Sequence, residues 1–469
     1  MPSNHPRSDD TIVAVITPPG EGGIAVLRLS GADAIAAVDK VFHGKQPLAL
    51  AASHTAHVGT LADADGGLLD EVVVTIFRAP HSYTAENVAE VSCHGSAFIA
   101  EKILNSFVRA GIRPAEPGEF TRRAFLNGRI DLSQAEAVAE LIRSRSDAAH
   151  KASLYQLQGL HTNKFQELKS RILDLCSLLE LELDFSEEGI SLIETSTCEG
   201  KIRGLITDLS QLIDSYRFGK VYRDGIKVVL AGKPNVGKSS LLNALLNERR
   251  SIVTNISGTT RDTIEEAIRL SGYYVRVVDT AGLRETDDIV EQEGIRRTEA
   301  EIEDADVVAY IVDASSRDFQ EDDARVRQLL EAKGEKAALM VVTNKIDLVG
   351  AYDGASGPDV PAGIEIFPVS AKSGSGIEEL KKALSDRCFS GNFHPAEKSV
   401  VITNARHQAN LVQARESLSK ALETLRDGQS NEFVAVDLRS ALRQIGEITG
   451  ISTTEDVLNN IFANFCIGK

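Results

Sequence analysis

The sequence predicts an α/β domain inserted in an all-α domain and preceded by an α+β domain. Three observations predict it. Short apolar runs with hairpin-type turns occupy residues 1–120; helical spacing of apolar residues flanks residues 219–384 on both sides; and within 219–384 apolar runs of strand length each end in a polar loop. Helices on both sides of one α/β unit imply an insertion, so residues 121–218 and 385–469 are read as the two parts of one helical domain.

In the first region, Thr11 to Ile16, Ile24 to Leu29, Val72 to Phe77 and Val88 to Ser92 read as strands, with Ala64-Asp65-Gly66-Gly67 as a turn. Helices fit Ala32 to Phe42 and Ser96 to Ala110, the second stopped by Gly111. From Ser133 to Phe185 the spacing becomes helical, as in Leu168, Ile172, Leu175 and Leu179, until a corner at Glu187-Glu188-Gly189. The spacing resumes with Leu411, Leu418, Leu422 and Leu425 before Asp427-Gly428. A capping box, Ser452 to Glu455, precedes a last helix carrying Val457, Leu458, Ile461, Phe462 and Phe465. Stripes at this spacing are core faces.

The chemistry lies in the inserted region. Gly232-Lys233-Pro234-Asn235-Val236-Gly237-Lys238-Ser239 fits G-x-x-x-x-G-K-[ST] between the strand Ile226 to Ala231 and a helix that starts near Lys238 and buries Leu241, Leu242, Leu245 and Leu246. Backbone N–H groups from Asn235, Val236, Gly237, Lys238, Ser239 and Ser240 converge there on a polyphosphate. Lys238 supplies a point charge, and the Ser239 hydroxyl is a Mg²⁺ ligand. Asp279-Thr280-Ala281-Gly282 follows the strand Tyr273 to Val278, where a carboxylate reaches Mg²⁺ through water and the Gly282 N–H meets a γ-phosphate. Asn344-Lys345-Ile346-Asp347 follows Leu339 to Thr343, and Ser370-Ala371-Lys372 follows Ile364 to Val369. The Asp347 carboxylate accepts from guanine N1–H and N2, whereas adenine would leave that charge unpaired, so the nucleotide is GTP.

With Asp279 to Gly282 the chain resembles the translation-factor-related GTPases. Leu283 stands where Ras-like enzymes have a water-orienting Gln, and leucine neither donates nor accepts. The segment Thr254-Asn255-Ile256-Ser257-Gly258-Thr259-Thr260-Arg261-Asp262, Asn235 in the phosphate loop, and the ending Phe465-Cys466-Ile467-Gly468-Lys469 make the sequence similar, nearly end to end, to the bacterial tRNA wobble-uridine modification GTPases, the MnmE/TrmE family. From the residues alone, either a cis arginine (Arg261 or Arg284) or a metal cation can replace the missing Gln. The resemblance implies K⁺, with the Asn235 side chain and the Thr254 and Ile256 carbonyls as ligands and Thr259 completing the loop. It also implies Thr260 as a Mg²⁺ ligand, Thr254 to Thr260 as part of the GTP site, Glu291 as the residue orienting water, and Glu291, Asn235 and Lys238 as the catalytic set.

The same resemblance implies that residues 1–120 form a tetrahydrofolate-binding-like, dimerising domain. The contacts to 5-formyltetrahydrofolate, or a related one-carbon tetrahydrofolate, fall on Arg28, Glu90, Arg129 and Lys469. Arg129 stands where the family commonly has Lys, which keeps the charge and changes donor geometry. Arg28 and Glu90 on neighbouring strands are equally a cross-strand ion pair. Cys466 reads either as a small core residue beside Phe465 or, by the resemblance, as a functional thiol.

Composition bounds the function. The 469 residues are 42% hydrophobic and 25% charged, enough for two or three cores. No apolar stretch reaches membrane-spanning length, and Met1 to Asp10 is polar, which predicts a cytoplasmic protein with no membrane attachment. The five cysteines show neither zinc nor C-x-x-C spacing and read as reduced thiols. A net charge of −17 excludes broad non-specific nucleic-acid binding, so any tRNA surface is local or shared. Two function classes follow. One is a GTPase that, as a homodimer with an FAD-dependent partner in a heterotetramer or larger assembly, modifies C5 of the tRNA wobble uridine. The other is a ribosome-assembly switch. The second class carries a G-x-x-G loop between helices, whereas Gly20-Glu21-Gly22-Gly23 lies between strands.

Overall fold

The structure, a computed structural model, describes residues 10–63, 65–184, 194–246, 265–270, 273–279, 299–316, 318–333, 338–349, 358–361, 363–388 and 399–469. The chain divides into two compact units. One comprises residues 1–143, 153–213 and 406–469, and the other 144–152 and 214–405.

The first unit opens with β1 (Ile12–Val15), β2 (Ile24–Ser30), β3 (Phe42–Gly44), β4 (Thr55–Ala62), β5 (Leu68–Phe77), β6 (Val88–His94) and β7 (Arg113–Pro114), in spatial order β3-β4-β5-β6-β2-β1-β7. Every described pair is antiparallel except β1 with β7. The four strands expected from alternation are present, and Gly20 to Gly23 joins β1 to β2. Helices Ala34–Asp39 and Ala97–Arg109 help bury Leu27, Leu29, Val74, Val91, Ile103 and Phe107. The first helix stops short of Phe42 because the Val41 carbonyl accepts from the Ala62 N–H at 2.9 Å, which draws the chain into the β3–β4 pairing.

The helical part of this unit contains Leu132–Arg143, Leu160–Asp184, Ala405–Arg426, Asn431–Thr449 and Glu455–Ala463, preceded by Glu119–Leu126; Asp147–Leu157 and Thr195–Asp224 each run from one unit into the other. The helical spacing expected over Ser133 to Phe185 is interrupted twice. Ser146 accepts from the Ala149 N–H at 3.1 Å and starts a new helix, and Gly159 at φ 87° ends it. Phe185 and the Glu187 to Gly189 corner lie outside the described residues. Leu168, Ile172, Leu175, Leu179, Leu411 and Leu418 are buried as their spacing requires. The capping box at Ser452 does not form: Thr454 occupies the N-cap position, and the Ser452 hydroxyl donates to the Arg443 carbonyl instead.

One buried cluster joins the two parts of the helical segment. The Glu136 carboxylate accepts from Arg406 Nε at 3.0 Å, from Arg406 Nη2 at 2.8 Å, and pairs with His407 Nε2 at 2.7 Å. Arg406 also donates to the carbonyls of Glu447 and Ile448 at the end of Asn431–Thr449.

The second unit holds β8 (Ile226–Ala231), β9 (Glu265–Leu270), β10 (Tyr273–Asp279), β11 (Val307–Asp313), β12 (Ala338–Asn344) and β13 (Ile366–Pro368), ordered β13-β12-β11-β8-β10-β9. All described pairs are parallel except β9 with β10. β8 is buried along its whole length, as a central parallel strand covered on both faces should be. The parallel arrangement brings the ends of β8, β10, β11, β12 and β13 to one edge, where open α/β sheets bind ligands.

Burial alone would raise the Glu136 carboxyl, but the charges and hydrogen bonds of His407 and Arg406 outweigh it and hold it down to about 2. Unfolded, a glutamate titrates near ~4.3. The resulting stabilisation is complete above about pH 5 and lost as the pH falls towards the folded value. Glu136→Ala should destabilise the helical segment by about 3–5 kcal/mol, because the half-buried Arg406 guanidinium and the buried His407 ring lose their shared acceptor. Chemical unfolding should show that loss at pH 7 and a much smaller difference from the parent at the acid end.

Candidate functional site

The phosphate loop leaves β8 and enters the helix Lys238–Leu246. The helix's first N–H groups, which have no intrahelical acceptor, lie at the loop and suit an anion. Asn235 is left-handed at φ 63°, and Gly237 has φ 96° with the Asn344 amide so close that a Cβ there would lie 2.4 Å from Nδ2. Only glycine permits that approach. Lys238 is buried and donates to the carbonyls of Gly232 at 3.0 Å and Lys233 at 2.8 Å, while Ser239 and Ser240 are exposed at the helix start.

The base motif is tied to the same loop. Asn344 Nδ2 donates to the Val236 carbonyl at 2.9 Å, and its Oδ1 accepts from the Ala371 N–H at 3.0 Å. Lys345 Nζ donates to the Asn235 carbonyl at 2.7 Å. The Ser370 hydroxyl, fully buried, donates to Asp347 Oδ1 at 2.7 Å, so one edge of the exposed Asp347 carboxylate is fixed. Ile346 follows in a short helical turn, and Lys372 is exposed. The structure thus brings Asn235, Val236, Gly237, Lys238, Asn344, Lys345, Asp347, Ser370 and Ala371 into one connected set. Such a set can grip a phosphate chain at one end and a guanine edge at the other.

Thr254, Asn255, Ile256, Ser257, Gly258, Thr259 and Thr260 lie outside the described residues, as do Thr280, Ala281, Gly282, Glu291, Leu283, Arg261 and Arg284. Asp279 is described only as the end of β10.

Two supports of the loop escape the motif reading. Lys233, a spacer position in the pattern, pairs with the buried Asp322 at 2.9 Å, and Asp322 also accepts from the Tyr310 hydroxyl at 3.0 Å. Asp313, at the end of β11, pairs with Lys345 at 2.6 Å. Burial would raise the Asp313 carboxyl, but hydrogen bonds from Lys345 and Ser315 hold it below the ordinary carboxylate range. The signal for Asp313 was available: a carboxylate directly after an apolar run of strand length belongs at the ligand edge of a parallel sheet.

A second constellation lies in the first unit. Arg28 and Glu90 face each other in the β2–β6 register and pair at 2.7 Å. The Arg28 guanidinium is also 4.8 Å from the centre of the Tyr83 ring, and Arg129 lies 5.2 Å from that ring while donating to the Tyr83 carbonyl at 3.0 Å. The chain's end reaches this neighbourhood: the Lys469 carbonyl accepts from the Phe120 N–H at 3.2 Å, and Phe120 contacts Arg28 through its ring face. Gly468, at φ 91°, approaches the Val15 carbonyl more closely than a Cβ would allow. Cys466 is exposed, so it is not a core residue. Tyr83 was missed because nothing in its local pattern marks a ring approached by two guanidiniums.

A family model described as the MnmE helical domain matches residues 132–466, and one described as the GTP-binding protein TrmE N-terminus matches residues 11–129. A tRNA modification GTPase MnmE of Moorella thermoacetica is 45% identical over 467 residues, covering 98% of this chain and 100% of the relative. The protein of the same name from Chlorobium luteolum is 43% identical, covering 99% and 98%. The chain belongs to the MnmE/TrmE family. As a member of the MnmE/TrmE family it is a GTPase, which agrees with the nucleotide motifs at the edge of the parallel sheet. Among solved structures, the FeoB G-domain from Methanococcus jannaschii aligns with 35% of this chain and 97% of its own at 29% identity and a TM-score of 0.25.

On the proposal that Asp347 accepts from guanine N1–H and N2, replacing it by Asn turns that acceptor partly into a donor. GTP affinity should fall by about 10²-fold or more while affinity for xanthosine triphosphate rises, as rejection of a mismatched polar edge requires. Equilibrium binding of both nucleotides to the variant checks this, and unchanged GTP binding would mean that the motif is misassigned.

Proposed function

We propose that this GTPase acts on tRNA. With an FAD-dependent partner it adds a (carboxymethyl)aminomethyl group at C5 of the wobble uridine of certain tRNAs, using a one-carbon unit from 5-formyltetrahydrofolate or a related tetrahydrofolate. The observation that carries the reading is the match, over nearly the whole chain, to relatives named tRNA modification GTPase. A tRNA substrate makes the protein cytoplasmic; among the described residues no helix is long and apolar enough to cross a membrane.

In this reading the domains are 1–120, 121–218, 219–384 and 385–469. Asn344 and Asp347 select guanine, and Lys238 with the loop N–H groups holds the β- and γ-phosphates. Ser239 and Thr260 would hold Mg²⁺, and Asn235, Thr254, Ile256 and Thr259 would hold K⁺. When bound, these cations supply positive charge where the phosphate oxygens gain negative charge. Glu291 orients the attacking water, a role the apolar Leu283 has no group to fill. The residues around Tyr83 suit a folate: Glu90 offers a carboxylate to a pterin N–H edge, Arg28 and Arg129 offer cations to a glutamyl tail, and Tyr83 offers a ring face. Arg28 serves the ion pair and the ligand together. Cys466, being exposed, is accessible as a functional thiol. The homodimer forms through residues 1–120, supported by Val58 and Val73, which are exposed and directly opposite each other on β4 and β5.

GTP turnover should be much faster in K⁺ than in Na⁺ at equal ionic strength. Equal rates in both salts, with turnover abolished in Arg261→Ala, would assign the charge to a cis arginine instead. Glu291→Ala should lower turnover by roughly 10²-fold or more and leave nucleotide affinity intact.

The whole reading is tested in one reaction containing the protein, the flavin partner, unmodified tRNA and one-carbon-loaded folate. Nucleoside analysis should show C5 modification with GTP, and none without nucleotide or with Glu291→Ala. Modification that proceeds without GTP would reduce hydrolysis to an accessory role and reopen the ribosome-assembly class.

A further inference from the structure

Two non-glycine residues of the nucleotide site hold left-handed backbone conformations: Asn235 in the phosphate loop at φ 63° and Lys345 in the base motif at φ 67°. Such conformations persist where the surroundings over-determine them. A single ammonium joins the two. Lys345 Nζ donates to the Asn235 carbonyl at 2.7 Å and to Asp313 Oδ2 at 2.6 Å. The other Asp313 oxygen accepts from both the N–H and the hydroxyl of Ser315, at 2.9 and 2.7 Å, so the carboxylate has little freedom to turn. Asp313 also pairs with Asn344 in the β11–β12 register, which anchors its backbone to the strand that delivers the base motif. The carboxylate is therefore the fixed end of a chain running Asp313, Lys345, Asn235. Neither sequence pattern includes it.

We propose that Asp313 is a positioning residue for guanine-nucleotide binding: it fixes the Lys345 ammonium, which fixes the Asn235 carbonyl and with it the shape of the phosphate loop. Its position in the chain of contacts assigns it no contact with nucleotide. Without it, Lys345 keeps one anchor instead of two, and the loop and the base motif lose their shared constraint. The effect differs from that of an ordinary surface ion pair, whose loss leaves binding unchanged. The inference rests on the GTPase reading of this site and adds to it a residue outside the motifs.

The test uses the full-length protein and GDP as the probe, with Asp313→Ala, Asp313→Asn, Lys345→Ala and the Asp313→Ala/Lys345→Ala pair. Asp313→Ala should weaken GDP binding by about tenfold or more, chiefly through faster release, while Asp313→Asn, whose single acceptor oxygen can serve either the ammonium or the Ser315 N–H but not both, should lose less than Asp313→Ala. The double variant should bind no more weakly than Lys345→Ala alone, since one residue acts through the other. Should the alanine variant not fold, Asp313→Ser carries the same expectation, because its hydroxyl is too short to reach Lys345. Parent-like GDP affinity in Asp313→Ala or Asp313→Ser, or losses that add in the double variant, would overturn the proposal. A parent protein that binds no GDP would instead sink the underlying GTPase reading.

Discussion

The buried carboxylate of Glu136, held by Arg406 and His407, is the interaction on which the chain's organisation depends. It connects a helix near residue 136 to one that begins after the inserted segment, a separation of 270 residues. A domain accepts a long insertion only if its flanking segments close on each other without help from the inserted part. Apolar packing supplies affinity between such segments but little choice of register. A charged group that is nearly fully buried accepts few arrangements, because a misplaced helix would leave the carboxylate or its cations unpaired. Arg406 adds to this by capping the carbonyls at the end of Asn431–Thr449, so three helices are set by one cluster.

Within the inserted unit the equivalent economy lies in polar side chains of the motifs that bond to the backbone of the phosphate loop. Asn344 reaches the Val236 carbonyl, Lys345 the Asn235 carbonyl, and Lys238 the Gly232 and Lys233 carbonyls. A loop that must present N–H groups to phosphate cannot use those groups to hold its own shape. Its carbonyls are the remaining handles, and these contacts use them. The base motif and the phosphate loop are therefore tied to each other through backbone carbonyls.

The motifs and most strands of this architecture were legible in the sequence, since glycine spacing, apolar runs and strand-end polar residues are local signals. The nucleotide edge followed from them. What was not legible is set by partners far along the chain. β4 alternates half-buried and exposed positions only over Thr55 to Val58 and carries His57 and Gly59, so its pairing, not its composition, makes it a strand. Thr195–Asp224 contains Gly200, Gly204 and Gly219, weak helix formers; at Gly219 an added Cβ would lie 1.9 Å from the Ile402 carbonyl, so the glycine is there for close packing. Ser452 matched a capping pattern, yet the Arg443 carbonyl took its hydroxyl. In the nucleotide site, Asp322 was missed for the same reason, since it acts on Lys233 through space from a helix, whereas the place of Asp313 after an apolar run was a local signal that went unused.

The second constellation extends that logic to the chain's end. The Lys469 and Cys466 carbonyls accept from the Phe120 and Gly118 N–H groups, so the last residues are bonded to the start of the helix Glu119–Leu126. Phe120 lies against Arg28, which lies against Tyr83 and pairs with Glu90. Four segments distant in sequence thereby share one cationic and aromatic environment, and Gly468 permits the last of them to approach β1. A cross-strand ion pair alone would need neither the ring nor the tail. Under the folate proposal, the Tyr83 ring and the two guanidiniums beside it are the groups that a planar, partly anionic molecule would meet there.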